Sequence, residues 1–179
     1  MRKIVESTFV TLNGIISDPH LWSAPYWDDE HAGYSMKLME NTEALLLGRE
    51  TYEAFAEVWP GRSGDPYTDK FNAMPKYVAS RTLKETTWNA ELLEGDVVEA
   101  VRALKETDGG DLLKFGTGEF SQALLETKLV DEYHFWVCPV VAGGQRMFDG
   151  LDLAATHLEL LGTTTFKSGI VVHKLAPKA

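Results

Sequence analysis

The apolar positions change period along the chain, and each change marks an element. Residues 3–12 set Ile4, Val5, Phe9, Val10 and Leu12 among Thr and Ser, a β-rich and mostly buried pattern that Asn13-Gly14 breaks. Residues 18–32 are aromatic and acidic without a clear period. A short helix is predicted over 33–41, with Met36, Leu38 and Met39 toward the core, and an apolar strand from Glu43 to Gly48. Arg49 to Val58 carries Tyr52, Phe55 and Ala56 at i, i+3 and i+4, the stripe of an amphipathic helix. The irregular stretch from Trp59 to Pro66 reads as a loop. Strands are predicted from Pro75 to Ala79 and from Thr86 to Asn89.

Asp96, with Glu99 three residues on, is a close relative of the capping box and opens a helix striped by Val97, Val98, Val101 and Leu104. Asp111 to Phe115 is a strand, Gly116-Thr117-Gly118 a turn, Glu119 to Thr127 a helix and Asp131 to Val141 a long strand. Two further strands, roughly 155–163 and 168–175, turn at Lys167-Ser168-Gly169. The order β α β α β β α β α β β β implies a largely parallel sheet with helices on its faces. The closing strands have no helix between them, so they add antiparallel pairs at one edge. No repeat, low-complexity stretch or linker divides residues 1–179, and a single α/β domain is expected.

Composition narrows the functional classes. With 44% hydrophobic and 25% charged residues, the chain has an ordinary globular profile, not that of a disordered one. No apolar run approaches the roughly 20 residues of a membrane helix. Glu6 arrives before a signal-like apolar core can form, and Cys138 is the lone cysteine. No disulfide within the chain, no cysteine metal cluster and a cytoplasmic protein are therefore expected. The net charge of −10, without a Lys/Arg-rich run, disfavours nucleic-acid and membrane partners. It leaves room for a nucleotide cofactor if a few Arg residues and backbone amides are concentrated in one pocket.

Three segments place candidate anion-binding groups where a strand ends and a helix or loop begins, the edge at which open α/β sheets bind ligands. In the first, Gly116-Thr117-Gly118-Glu119 follows a strand and opens a helix, combining free N–H groups with a positive helix end. It is neither the GxGxxG fingerprint, because Ser121 stands where glycine would, nor a P-loop. A plain strand-to-helix turn whose glycines allow close packing explains it equally well. In the second, Gly48-Arg49-Glu50-Thr51 puts a guanidinium and a hydroxyl in the first turn of a helix. A cation there is misplaced unless an anion visits or Glu50 or Glu53 pairs with it. In the third, Ser80-Arg81-Thr82 offers two hydroxyls and a guanidinium, suited to a phosphate monoester but common in turns.

Together these segments resemble the dihydrofolate reductase-like superfamily. The closest group is that of the C-terminal reductase domain of the bifunctional riboflavin-biosynthesis deaminase-reductase (RibD). Thr11-Leu12-Asn13-Gly14-Ile15-Ile16 resembles the group's opening motif, although Asp more often precedes the glycine there. Pro139-Val140-Val141-Ala142-Gly143-Gly144-Gln145-Arg146-Met147-Phe148 resembles its late Gly-x-Gly segment. The resemblance covers nearly the whole chain. It implies a three-layer αβα fold and an NADPH site. Arg49 and Thr51 would hold phosphates beside the helix after Gly48, and Ser80, Arg81 and the neighbouring Thr82 would face the 2′-phosphate. Gly116, Thr117, Gly118 and Glu119 would cradle the pyrophosphate, and Ile16 and Ser17 would lie near the nicotinamide.

The deaminase half and its zinc-binding motifs are absent from this sequence. The acid that dihydrofolate reductases carry on their first helix has no match, because the corresponding position falls near Ala32. Asp28, Asp29 and Glu30 lie close by, and Asp29, Glu30 or water is the expected proton source. Trp22, Tyr26 and Trp27 suit either ring stacking or lid packing. Asp28, Asp29 and His31 are read as solvated and no metal site is expected, while His134, His173 and Cys138 are read as structural.

The implied activity is NADPH-dependent hydride transfer to a small heterocyclic, pterin- or pyrimidine-like substrate. The rivals are reduction of 5-amino-6-(5-phosphoribosylamino)uracil and a non-catalytic nucleotide-binding module. The first would need a second phosphate pocket, and no second Arg/Lys cluster is evident. A homodimer is also expected: Tyr133, Phe135 and Trp136 put apolar groups on both faces of the long strand, unless the last strands cover them within one chain.

Overall fold

A computed structural model describes residues 1–150, 152 and 155–178. Its strands are β1 (Ile4–Thr11), β2 (Thr42–Gly48), β3 (Lys76–Ala79), β4 (Ala90–Leu92), β5 (Asp111–Phe115), β6 (Glu132–Cys138), β7 (Leu158–Thr165) and β8 (Val171–Pro177). Its helices are α1 (Pro19–Trp22), α2 (Asp29–Glu40), α3 (Arg49–Val58), α4 (Pro66–Ala73), α5 (Val97–Glu106) and α6 (Glu119–Glu126). The strands form one sheet in the order β4-β3-β2-β5-β1-β6-β8-β7. Pairs from β4 through to β6 are parallel, and β8 runs antiparallel to both β6 and β7. The three-layer αβα architecture expected from the element order is therefore present. No helix among the described residues is long and apolar enough to cross a membrane.

Burial follows from the patterns. The central strands β1, β2 and β5 are buried on both faces, as parallel strands covered by helices must be. On one face Ile4, Val10, Leu46 and Leu112 pack with Val101 and Leu124 of α5 and α6. On the other, Val5, Leu45, Leu47 and Leu113 pack with Met39, Tyr52 and Phe71 of α2, α3 and α4. Cys138 is fully buried in a third cluster, and burial pushes its thiol up to about 11, so it is an inert core residue.

Several boundaries differ from those expected. Helix α2 starts at Asp29 rather than 33, because the Asp28 carboxylate accepts the His31 amide at 2.8 Å and caps it. Met39 is buried, but Met36 faces solvent. A helix, α4, begins at Pro66, where the sequence reads only as a loop; Asp65 caps it by accepting the Thr68 amide at 3.0 Å. β4 lies at Ala90–Leu92, not 86–89, because Trp88 and Asn89 have φ of 56° and 51°, which no strand tolerates. β6 stops at Cys138, before Pro139, which has no N–H to give. The last two strands each sit two or three residues later than expected.

The seam between β1 and β5 is where the connections part. β1 leads through α2 to β2, beyond β5, and β5 leads through α6 to β6, on the far side of β1. Parallel crossovers are right-handed, so the two helices leave on opposite faces and a crevice opens at the carboxyl end of the seam. The register agrees: β1–β5 pairing ends at Ser7 opposite Phe115, while β1 runs on against β6 to Thr11 opposite Cys138.

Candidate active site

The three sequence segments meet beside that seam, because β3, β2 and β5 are neighbours that end together. A Cβ placed on Gly116 would come 2.8 Å from the Thr51 hydroxyl oxygen, so the two strand-to-helix turns touch. A Cβ on Gly48 would rest 3.8 Å from Phe120 in the first turn of α6. Arg81, just past β3, reaches Glu119 at the start of α6 at 2.8 Å. Arg49 pairs with Glu53 at 2.8 Å and Glu50 at 3.4 Å. The Ser80 hydroxyl accepts the amides of Thr82 and Leu83 at 3.2 and 3.0 Å, which shapes that turn, and Thr82 is exposed.

The helix starts differ in a telling way. Among the described helices longer than one turn, α2, α4 and α5 are capped by Asp28, Asp65 and Asp96. The two that begin at the crevice, α3 and α6, have Gly48 and Gly118 at the N-cap and no side-chain cap. Their first N–H groups have no side-chain acceptor, and the carboxylates of their first turns, Glu50 and Glu119, are drawn to Arg49 and Arg81. Nothing lies within 4 Å of where a Gly118 Cβ would be, and the Thr117 hydroxyl beside it is buried without a partner. These features fit the phosphates of a dinucleotide. The Arg81–Glu119 pair is largely exposed, so it contributes at most about 1 kcal/mol and yields readily to a phosphate.

Ile16 and Ser17 form the opposite wall, after β1. The Ile16 amide donates to the Gln145 carbonyl at 2.9 Å, and the Ser17 hydroxyl accepts the Gln145 amide at 3.1 Å. Gly144 has φ 136°, and a Cβ on it would fall on the Ser17 hydroxyl oxygen, so glycine is required for this approach.

Across β1 from α6, the crevice is bounded by aromatic rings. His31, on the first turn of α2, stacks on Trp27 and on Phe9, each at a ring-centroid distance of 5.6 Å, and lies 5.1 Å from Trp136. Its Nε2 is buried without a partner. Burial holds the imidazole below its ordinary pKa, against the opposing pull of Asp28. Trp22 and Tyr26 pack against the Trp136 cluster, whereas Trp27 is half exposed over His31. Asp29 lies exposed on the outer side of the helix start, and the Glu30 carboxylate accepts the Lys167 amide at 2.7 Å, tying α2 to the β7–β8 turn. Two polar side chains of α2, His31 and Tyr34, turn toward the aromatic wall; the Tyr34 hydroxyl is taken by His134, whereas His31, which the sequence reads as solvated, is packed among rings with its Nε2 free. His134 is structural, as read: its Nδ1 shares a 2.7 Å hydrogen bond with the Tyr34 hydroxyl.

A second feature gives no sequence signal. Lys114 on β5 and Glu6 on β1 face each other in the core beneath the glycine turn, 3.0 Å apart. Alternation alone would mark both as apolar positions.

A parallel sheet split at this seam, with antiparallel strands closing one edge and glycine-opened helices around the split, is the dihydrofolate reductase-like architecture. The chain belongs to the RibD C-terminal domain family, a reductase-like family whose profile matches residues 2–172. It is 28% identical over 177 residues to the uncharacterized protein YyaP of Bacillus subtilis (strain 168), covering 95% of this chain and 92% of that one. A structure from Shewanella sp. PV-4, provisionally assigned to riboflavin biosynthesis, superposes with a TM-score of 0.77 at 21% identity over 99% of both chains. A pyrimidine reductase-like protein of Corynebacterium diphtheriae gives a TM-score of 0.69 at 12% identity, covering 99% of this chain and 92% of that one. The diaminohydroxyphosphoribosylaminopyrimidine deaminase/5-amino-6-(5-phosphoribosylamino)uracil reductase of Thermotoga maritima gives 0.66 at 17% identity, and this chain spans 57% of its length. At these identities the structural likenesses establish the fold.

Proposed function

We propose that this protein is an NADPH-dependent reductase that delivers hydride to a C=N or C=O group of a small flat heterocycle of pterin or pyrimidine type. The observation that carries the reading is the convergence of Gly48–Thr51, Ser80–Thr82 and Gly116–Glu119 beside a seam whose two flanking helices are left uncapped. NADPH would supply the hydride. Arg49, Thr51 and the amides at Gly116–Glu119 would hold its phosphates, and Ser80 and Arg81 its 2′-phosphate. The protein's part is to position the two reactants and exclude water.

On the substrate side Phe9, Trp27 and Trp136 suit a flat ring. His31 is the group best placed to hydrogen-bond the ring or pass it a proton. Asp29 and Glu30 are poorer candidates, one exposed and the other engaged with Lys167. Reduction of a ribosylaminopyrimidine phosphate is the second reading, favoured by family membership. It requires a further phosphate-binding group on the aromatic side. We further propose a homodimer working in the cytoplasm, the compartment that suits a chain whose lone cysteine is buried.

The test is cofactor titration followed by turnover. Saturable NADPH binding, with nicotinamide oxidation on adding a pterin or a ribosylaminopyrimidine, is expected. Binding without oxidation of either substrate would favour the non-catalytic module, and no binding would reject the reading.

A further inference from the structure

Lys114 and Glu6 occupy paired positions on β5 and β1, and both side chains are almost wholly shielded, at 2% and 0% exposure. The three hydrogens of the ammonium have three acceptors. They are a Glu6 carboxylate oxygen at 3.0 Å, the Gly116 carbonyl at 2.7 Å and the Ser121 hydroxyl at 2.5 Å. The Ser121 hydroxyl in turn has two acceptors in reach, the same Glu6 oxygen at 3.2 Å and the Gly116 carbonyl at 3.1 Å. The second Glu6 oxygen has no partner. One ammonium thus joins the central strand, the first glycine of the turn and the third residue of α6.

Such a pair is a poor way to gain stability. Desolvating two charges can cost as much as their attraction returns, and apolar side chains of similar volume often do as well. Its placement suggests another purpose. The cap of α6 carries no side chain, and an Asp there would repel an incoming anion. Lys114 tethers the turn from below, on the core side, where it leaves the amides free and adds positive charge behind them.

We propose that Lys114 is a positioning residue for the anion cradle: it fixes Gly116–Gly118 and the start of α6 for a dinucleotide pyrophosphate, with Glu6 as its buried counter-ion. This rests on reading the crevice as a nucleotide-cofactor site. The pyrophosphate is common to NADPH and NADH. A defect in the cradle therefore weakens both equally, unlike a defect at Arg81, which faces only the 2′-phosphate.

The experiment titrates both cofactors by fluorescence against wild type, Lys114→Met, Glu6→Gln/Lys114→Met and Glu6→Gln, with thermal melting by circular dichroism. Lys114→Met leaves a buried carboxylate unpaired and is expected to be unstable, so the double variant, which removes both charges at nearly constant volume, carries the test. In it the dissociation constants for NADPH and NADH should rise by the same factor, tenfold or more, with the fold retained. Glu6→Gln keeps the ammonium and should bind both cofactors at least as tightly as wild type despite a lower melting temperature. Wild-type affinity in the double variant would overturn the proposal. So would losses in all variants that merely track their melting temperatures, since that is the signature of packing alone. A wild type that binds neither nucleotide would instead reject the cofactor reading on which the proposal stands.

Discussion

The Thr51 hydroxyl lies so close to Gly116 that the glycine's missing side chain is what lets the turns after β2 and β5 meet. Gly116 also has φ 74°, in the region L side chains avoid. Gly118, two residues on, is extended at φ −178° with open space before it, so neither backbone nor packing demands glycine there. The two positions should respond differently. Gly116→Ala should lower stability by roughly 1–3 kcal/mol, from strain and contact with Thr51. Gly118→Val should melt close to wild type yet lose NADPH, because its side chain would enter the anion's space. Fluorescence titration paired with thermal melting separates them. Normal NADPH affinity in folded Gly118→Val would remove the cradle.

Arg81 gives a second prediction. A charge-assisted contact contributes about 1.5–3 kcal/mol, so Arg81→Ala should weaken NADPH tenfold or more and leave NADH nearly unchanged. The guanidinium is held by Glu119 at 2.8 Å, and a 2′-phosphate must displace that carboxylate. Glu119→Gln should therefore tighten NADPH and not NADH. Calorimetric titration of both cofactors provides the comparison, and equal wild-type affinities for the two would contradict it.

Much of this arrangement is legible in the sequence, and the misses have physical causes. The strand-end glycines at 48, 116 and 118 stand out in the sequence, although only Gly116, at φ 74°, is one its turn demands, and the β/α alternation fixes a parallel sheet and its binding edge. Helix α4 was written in Asp65-Pro66, a cap followed by proline in the first helical position, but surrounding Gly and Ser mask it. Trp88 reads as a strand residue, and its positive φ reflects tertiary anchoring: its indole N–H donates to the Asn72 side chain at 2.8 Å. Lys114 and Glu6 could not be paired from sequence, since their register exists only after β1 crosses to lie beside β5. His31 was hidden among neighbouring acids, and only the helical start at Asp29 decides which of them turns inward.

His31 gives the third prediction. His31→Phe preserves the stacking with Trp27 and Phe9, so the fold should persist while turnover falls by tenfold or more. A pH effect accompanies it. Burial lowers the folded-state pKa, so as pH falls below about 6.5 the unfolded chain takes up the proton first, and stability drops. His134 carries a shift of the same sign. His31→Phe should therefore lose less stability than wild type between pH 7 and 5, without abolishing the loss. Urea midpoints at the two pH values, with turnover, provide the check; unchanged turnover would free His31 from the reaction.

The proposed dimer finds no support on the surface the sequence suggests. Tyr133, Phe135 and Trp136 are all buried within one chain, so β6 has no face left to cover. Among the exposed apolar side chains, Leu160 and Leu161 are neighbours on the edge strand β7, 56% and 48% exposed, beside a break in its register with β8. If two copies meet there, sedimentation at micromolar concentration should give about twice 19.9 kDa, and Leu160→Glu should return the monomer. A wild-type monomer would reject the dimer.

Lys76 gives a test of stability far from the crevice. Its ammonium is fully buried, donates to the Asn72 and Met74 carbonyls at 2.7 Å each, and lies 4.1 Å from the Trp88 ring centroid. These contacts seat the end of α4 against β3, yet burial pushes the group down to about 8 from its ordinary 10.5. Between those values the unfolded chain holds a proton that the folded chain has released, so stability rises with pH across that window. The opposite sign enters first from Cys138, which burial pushes up to about 11, so that above about 9 the unfolded chain loses its proton first; Tyr34 and Tyr67, pushed up to about 12, add to the loss above about 10. The urea midpoint should therefore climb from pH 8 to about 9, level off as Cys138 offsets Lys76, and turn down above about 10. Lys76→Met should remove the climb and keep the fall. A flat wild-type midpoint between pH 8 and 9 would mean that carbonyl and ring contacts hold the ammonium charged as firmly as water does.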